Sequence, residues 1–187
     1  MAKTKEQLLN ILDQFQLTEK VVSAEPFGNG HINDTLKVTN EKGEIKYVLQ
    51  RINHLIFTNV DMLQNNIHVV TTHIRKKLEE KGETDIDRKV LTFLPTKDGK
   101  KYYFDGDSYW RVCLFIPRSK SYEEVTPELS YEAGKAFGDF QTMLSDIPEG
   151  TLGETIPDFH NMEFRLKQLR DAVAADAAGR VKEVRYF

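Results

Sequence analysis

The strongest structural pattern in the sequence is a long amphipathic helix between two groups of strand-like segments. Thr58 and Asp61 stand at the spacing of a capping box, which marks the start of a helix. Asp61 is interpreted as part of this cap rather than as a catalytic acid. Apolar residues then recur at steps of three and four positions: Val60, Leu63, Ile67, Val70, Ile74 and Leu78. A helix with one apolar side must bury that side against another element, here a sheet.

A shorter helix and three strands are predicted ahead of the long helix. Thr4 to Phe15 is amphipathic, with Thr4 as a cap that faces Gln7. The segments VVSAEP and TLKVTN flank a glycine-containing loop, and a turn at Asn40 to Gly43 leads into a third strand, Glu44 to Ile52. These segments predict a three-stranded antiparallel meander.

More strands are predicted after the long helix. The segments KVLTFLPT, KKYYFD and SYWRVCLFIP alternate with turn signals at Asp98-Gly99 and Gly106-Asp107, which indicates two hairpins. The sheet is therefore expected to have about five or six strands.

The chain from Ser119 onward is predicted to be helical. Thr126-Pro127-Glu128 combines a cap, a proline at the first helical position and an acid in the first turn. Gly134 and Gly138 lie four residues apart on this helix, so another backbone is expected to pack closely there. A last helix is expected from about Met162 to Ala178. The predicted class is α+β, with a sheet-containing part over residues 1–118 and a helical part over residues 119–187.

Composition excludes several classes of function. A net charge of -3 and a pI near 6.0 argue against nucleic acid and anionic membranes as partners. The sequence has no apolar run long enough for a membrane span and no secretory signal, so a cytoplasmic location is expected. The one cysteine, Cys113, excludes an internal disulfide and is interpreted as a small core residue.

The loop between the first two strands, FGNGHIND, has two interpretations. Gly28 and Gly30 are typical of a hairpin turn, but glycines also let backbone N–H groups approach phosphate oxygens. Asn33 stands where a full G-x-G-x-x-G motif has its third glycine. The loop alone therefore leaves both interpretations open.

Several segments together resemble the aminoglycoside phosphotransferase and choline kinase superfamily, which has a protein-kinase-like fold. They are EPFGNGHIND, KYVLQRIN, IFTNVDMLQNN, YWRVCLFIP and EAGKAFGDFQTMLSD, in this order. Within the superfamily the sequence is most similar to bacterial N-acetylhexosamine 1-kinases. The resemblance implies a nucleotide-binding lobe that includes the hinge, followed by the first helices of an incomplete helical lobe.

The resemblance also implies site residues. The residues expected to bind ATP are Gly28, Asn29, Gly30, His31, Ile32 and Asn33 in the loop, Val48 and Gln50 on the third strand, and Leu114, Phe115 and Ile116 at the hinge. His31 is also expected to reach the sugar, or else to be a solvated loop residue. The hinge segment could equally be an ordinary buried strand. Gln50 stands where many kinases carry a phosphate-pairing lysine, and Arg51 should face the opposite side of the sheet.

The sequence departs from the family where the chemistry occurs. Relatives carry an H-x-D-x-x-x-x-N loop and a later aspartate that holds Mg²⁺. None of the five histidines is followed by aspartate two residues on, and the pairs Asp85/Asp87 and Asp105/Asp107 are interpreted as turn carboxylates. The sequence is therefore expected to be a fragment of a longer kinase, with its metal ligands downstream and no catalytic residue of its own.

Two other functions stay open. One is a noncatalytic nucleotide-binding or docking module. The other is a kinase of the same superfamily whose acceptor is choline, homoserine or an aminoglycoside instead of an amino sugar.

Overall fold

The computed structural model describes residues 3–28, 30–122 and 124–184, which form an α+β fold with a six-stranded antiparallel sheet and four α-helices. The helices are α1 (Lys5–Leu12), α2 (Val60–Glu80), α3 (Pro127–Leu144) and α4 (Met162–Ala175). The strands are β1 (Val21–Pro26), β2 (Asp34–Asn40), β3 (Ile45–Ile52), β4 (Phe93–Leu94), β5 (Tyr103–Phe104) and β6 (Tyr109–Leu114). Two short 3₁₀ helices cover Ile86–Arg88 and Val181–Val184.

The chain divides into two compact units, one up to Thr155 and one from Ile156 onward. The expected functional division at residue 118 stays a prediction.

The sheet has the order β1-β2-β3-β6-β4, and β5 pairs with β6. The predicted meander is confirmed, since β1, β2 and β3 pair in sequence and all are antiparallel. The side chain of Asn40 holds the second turn, because its Oδ1 accepts the N–H groups of Lys42 and Glu44 at 3.0 and 2.9 Å. The hairpin between β5 and β6 is confirmed as well.

The other predicted hairpin is wrong in its pairing. The turn at Asp98-Gly99 forms, with the Thr96 N–H bonded to the Lys100 carbonyl at 2.9 Å. However, β4 has only two residues and pairs with β6, so that Phe93 lies opposite Cys113. The physical reason is that the apolar strand β6 lies between β3 and β4 and takes the hydrogen bonds of both.

Helix α1 forms because its start is capped and one side of it is apolar. Thr4 and Gln7 exchange both bonds of the predicted capping box. The buried residues Leu8, Ile11 and Leu12 pack on one face of the sheet, against Val38, Tyr47, Leu49, Trp110 and Val112. Phe15 lies beyond the end of the helix, which is shorter than predicted, but is buried in the same cluster. We call this face of the sheet the α1 face.

The N-cap of helix α2 is one residue later than predicted, at position 59 instead of 58. Asn59 is the N-cap, and its Oδ1 accepts the N–H of Met62 at 2.9 Å. Asp61 lies in the first turn and accepts a hydrogen bond from the Tyr102 hydroxyl at 2.9 Å. Asn59 competes well with Thr58 because asparagine is among the strongest N-cap residues. The predicted apolar stripe is confirmed, with Val60, Leu63, Ile74 and Leu78 buried.

Helix α3 begins as predicted, and the Thr126 hydroxyl accepts the Leu129 N–H at 3.3 Å. The expected close backbone at Gly134 and Gly138 is not observed in the unit that contains α3. A Cβ built on either glycine would meet no described atom within 4 Å. The spacing of the two glycines therefore reflects no packing contact within that unit.

Helix α4 ends at Ala175 rather than near Ala178 as predicted. Asp176 adopts a left-handed conformation with φ of 38°, which stops the helix. The carboxylate of Asp176 then accepts the Val181 N–H at 3.1 Å. A left-handed aspartate is difficult to foresee, since glycine is the more usual residue in this role.

None of the helices in the described ranges is both long and apolar enough to cross a lipid bilayer.

The turn between β5 and β6 depends on one carboxylate, that of Asp105. It accepts the N–H groups of Asp107 and Ser108 at 3.0 and 2.8 Å, the Trp110 indole N–H at 2.9 Å and the Lys3 ammonium at 2.8 Å. Burial alone would raise the pKa of Asp105, but the hydrogen bonds outweigh it and lower the pKa to about 2. The interpretation of Asp105 as a turn carboxylate is confirmed.

The replacement Asp105→Asn is expected to lower the free energy of unfolding by about 1–3 kcal/mol at pH 7, because charged hydrogen bonds are lost. Ionised Asp105 stabilises the folded state because its pKa is lower there than in the unfolded chain. This stabilisation is present above pH 4 and is lost as the carboxylate is protonated near the folded pKa of about 2. The difference from the natural chain should therefore shrink between pH 4 and pH 2. Urea unfolding at several pH values measures this. The matched control is Asp107→Asn, whose side chain is exposed, and an equal loss in both variants would contradict the account.

Candidate functional site

The two faces of the central sheet have different residues. Alternate side chains of β3 point to opposite sides, so Tyr47 and Leu49 lie on the α1 face while Val48 and Gln50 lie on the other face. In the β3–β6 register Val48 lies opposite Cys113 and Gln50 lies opposite Arg111. We call this side the Gln50 face; it carries Lys37, Val48, Gln50, Arg111 and Cys113. The predicted opposite orientation of Arg51 is confirmed by its ion pair with Asp34 beside the α1 face.

Gln50 is held in place by both ends of its amide group. Its Nε2 donates to the Thr35 hydroxyl at 3.1 Å, and its Oε1 accepts from the Nε of Arg111 at 3.0 Å. Thr35 and Arg111 lie on the strands on either side of β3, at the positions directly opposite Gln50. The three side chains form a row across the sheet. Gln50 therefore orients the guanidinium of Arg111.

Arg111 is a partly buried cation without a carboxylate partner among the described residues. Its Nη1 is buried and makes no hydrogen bond within the described ranges. Its guanidinium carbon lies 5.3 Å from the centre of the Phe93 ring, a cation–π contact. Burial lowers the pKa of Arg111 from its usual value. A buried unpaired charge is costly, so an anion that reached Nη1 would be bound favourably.

The predicted glycine loop lies between β1 and β2. Gly28 has φ of 80°, a conformation that other residues rarely adopt, whereas a Cβ on Gly30 would meet only an ordinary contact at 3.9 Å. Asn33 anchors the loop, because its Oδ1 accepts the Asn53 N–H at 2.9 Å. His31 and Ile32 are exposed. Asn29, which was also predicted to bind ATP, lies outside the described residues.

The loop contacts the segment that was predicted to bind adenine. The rings of Phe27 and Phe115 pack edge to face with their centres 5.9 Å apart. The N–H of Leu114 donates to the Thr92 carbonyl and that of Phe115 donates to the Lys46 carbonyl, each at 2.9 Å. Neither N–H is free to bind an adenine. Of the three predicted positions, only Ile116 retains an uncommitted N–H among the described residues.

A cavity of about 490 Å³ lies between the glycine loop and the α1 face of the sheet. Gly28, Gly30 and Asn33 line it together with residues of the α1 face such as Leu8 and Trp110. The loop thus borders both faces of the sheet. A phosphate that bound at the loop could lie towards Arg111 or towards this cavity.

The described residues contain no group of three or more histidine, cysteine, aspartate or glutamate side chains that could hold a metal ion. Asp87 pairs with Arg75 at 2.6 Å, and Arg75 lowers the pKa of Asp87. The carboxylate of Asp87 is thus engaged by an arginine of α2.

Arg111 was not among the predicted ATP-binding residues, although it lies beside Gln50. The available signal was one arginine within the apolar run of β6, combined with the absence of a lysine at position 50. Only the register between β3 and β6 brings the two residues together.

No protein-family model matches this chain.

The predicted core role of Cys113 is confirmed, since the residue is buried and burial raises the pKa of its thiol to about 11. Because the thiolate is the reactive form, Cys113 is expected to resist alkylation by iodoacetamide at pH 8 in the folded protein. Mass spectrometry after timed labelling measures this, with the same protein in concentrated urea as the control. Equal labelling rates with and without urea would contradict the buried position.

Proposed function

We propose that this chain forms the ATP-binding part of a phosphotransferase that acts on a hydroxyl group of a small molecule, most specifically the anomeric hydroxyl of an N-acetylhexosamine. The observation that carries the proposal is the partly buried guanidinium of Arg111, which is held by Gln50 and has an enclosed Nη1 without a partner among the described residues. Many kinases carry a phosphate-pairing lysine at the position that Gln50 occupies by the resemblance, and a glutamine side chain has no charge. Only the resemblance of the sequence motifs supports the choice of an amino sugar as the acceptor.

Arg111 supplies the charge that Gln50 lacks. A phosphate oxygen near Nη1 would satisfy a donor that is otherwise buried without a partner, and guanidinium groups suit phosphate geometry well. Gln50 acts through Arg111, because the bond from Nε fixes the direction in which the other guanidinium nitrogens point. Lys37 is a second cation on the Gln50 face, 3.5 Å from Glu25. Stabilisation of phosphate charge by fixed cations is the main protein contribution to phosphoryl transfer.

The glycine loop and the segment after β6 would bind the rest of the nucleotide. Gly28 gives the loop a backbone conformation that lets N–H groups turn towards phosphate oxygens. Asn33 keeps the loop close to the end of β3. The Phe27–Phe115 contact joins the loop to the segment proposed to bind adenine, where Ile116 has the available N–H. His31, which is exposed, is the loop side chain proposed to reach the sugar or the transferred phosphoryl group.

Mg²⁺ is part of the proposed reaction, but the described residues do not fit a Mg²⁺ site. No step is therefore assigned to a metal held by these residues. The proposal places the metal ligands, and the aspartate that would accept the hydroxyl proton, in polypeptide outside this sequence. This chain would bind and orient the nucleotide.

A second candidate is a noncatalytic nucleotide-binding module that docks onto a partner. The observation that favours it is the apolar surface of α3, where Tyr131 and Phe137 are each 70% exposed and Phe140 is 41% exposed. An H-x-D motif encoded in frame beyond residue 187 would favour the enzyme, and a stop codon there would favour the module.

The replacement Arg111→Met is expected to weaken ATP binding by about 10- to 100-fold, because a charge-assisted hydrogen bond to phosphate is lost. The same change should leave adenosine affinity within about twofold. It should alter the free energy of unfolding by no more than about 1–2 kcal/mol, because the relief of a poorly paired charge is offset by the loss of the hydrogen bond to Gln50. Calorimetric titration and urea unfolding measure both effects. The matched control Arg51→Met lies beside the α1 face and should retain ATP affinity within about twofold. Equal weakening by both variants, or equal losses for ATP and adenosine, would contradict the role of Arg111.

The 187-residue chain is expected to show no turnover of ATP that depends on N-acetylglucosamine or N-acetylgalactosamine. It lacks the proton acceptor and metal carboxylates that supply most of the acceleration in phosphoryl transfer. A coupled assay for ADP release, run with and without each sugar, measures this. Clear sugar-dependent release of ADP would show that the described residues contain a catalytic group that the proposal does not recognise.

A further inference from the structure

A second cavity lies between α2 and the segment that contains β4, apart from the glycine loop. Its volume is about 420 Å³, within the range of small-molecule sites. Its lining includes Gln64 and Arg75 of α2, Leu91 and Phe93 around β4, and Gly99 and Lys101 from the following turn. Both walls belong to the unit that ends at Thr155.

The polar residue that distinguishes this cavity is Gln64. Its side chain is 3% exposed, yet its Nε2 has no hydrogen-bond partner among the described residues. A buried amide nitrogen without a partner costs stability, so such groups are rare in native proteins. Nε2 is itself enclosed, so a hydrogen bond from Gln64 to a ligand in the cavity requires the amide to rotate and bring the nitrogen to the position now held by Oε1.

The charges around the cavity favour an anion. No aspartate or glutamate lines it, whereas Arg75 and Lys101 both do. Arg75 is bonded to Asp87 at 2.6 Å, which offsets its charge. Lys101 is bonded to the neutral side-chain oxygen of Asn65 at 3.0 Å, so its charge is not offset by this partner. The charged side chains that line the cavity are therefore cations, and that of Lys101 is not offset by its hydrogen-bond partner.

The remaining wall is apolar and partly open to solvent. Ile67, Phe93, Leu94 and Pro95 line it together with Leu91, which is 46% exposed. An apolar body could pack on this wall while an anionic group reached Lys101 and Gln64. A simple inorganic anion would leave the apolar wall unused.

We propose that this cavity binds a small organic carboxylate with an apolar body, whose carboxylate group pairs with Lys101 and accepts a hydrogen bond from Gln64. The proposal is separate from the nucleotide site and does not rest on it. The apolar body would cover Leu91 and the neighbouring wall.

The test is a titration of the full chain with three carboxylates, hexanoate, phenylacetate and 3-phenylpropionate, followed by ¹H–¹⁵N NMR. At least one acid should shift the side-chain amide of Gln64 and the backbone amide of Gly99 in a saturable manner. The matching neutral amides, such as phenylacetamide, should bind at least about fivefold more weakly, because they lack the charge. The replacement Lys101→Met should weaken the acid by about 10-fold.

The matched control is Lys100→Met, since Lys100 is bonded to Asp98 and does not line this cavity. It should retain the affinity for the acid within about twofold. The proposal is overturned if none of the acids shifts Gln64, if acids and amides bind equally, or if both lysine variants weaken binding equally. A Gln64→Leu variant that folds and binds the acid as tightly as the natural chain would also overturn it.

Discussion

The contact between Gln50 and Arg111 is the interaction on which the functional interpretation of this fold depends. A glutamine on β3 accepts a hydrogen bond from an arginine on β6 and thereby fixes a partly buried cation whose enclosed Nη1 has no partner among the described residues. A folded chain normally avoids such an arrangement, because burying an unpaired charge is costly. An anion that completed the hydrogen bonds of the guanidinium would offset this cost, which is the basis of the proposed nucleotide site.

The rest of the sheet gives this pair its environment. Helix α1 covers one face with a closely packed cluster that includes Leu12, Tyr47 and Val112. Helix α2 packs its first turns against Ile52, two positions beyond Gln50, so it covers the end of the Gln50 face. Phe93 of β4 lies beside the guanidinium and also lines the cavity behind α2. Phe93 thus lies between Arg111 and the cavity behind α2.

The sequence predicted the local structure well and the long-range pairing less well. The meander, the cap at Thr126 and the stripe on α2 follow from turn, capping and periodicity rules that act over a few residues. The pairing of β4 with β6 and the register that joins Gln50 to Arg111 depend on contacts between distant segments, which no local pattern encodes. The hydrogen bonds of the Leu114 and Phe115 N–H groups belong to the same class. They limit the proposed adenine contact to Ile116.

The most direct test of the central claim is the ¹H–¹⁵N NMR signal of the Arg111 Nε–H during a titration of the full chain with ATP and, separately, with adenosine. The Arg111→Met variant would assign the signal. The account predicts a saturable shift of this signal with ATP and a much smaller one with adenosine. If ATP bound and shifted the amides that line the cavity on the α1 face, such as that of Lys5, while the Arg111 signal stayed unchanged, the account would be contradicted.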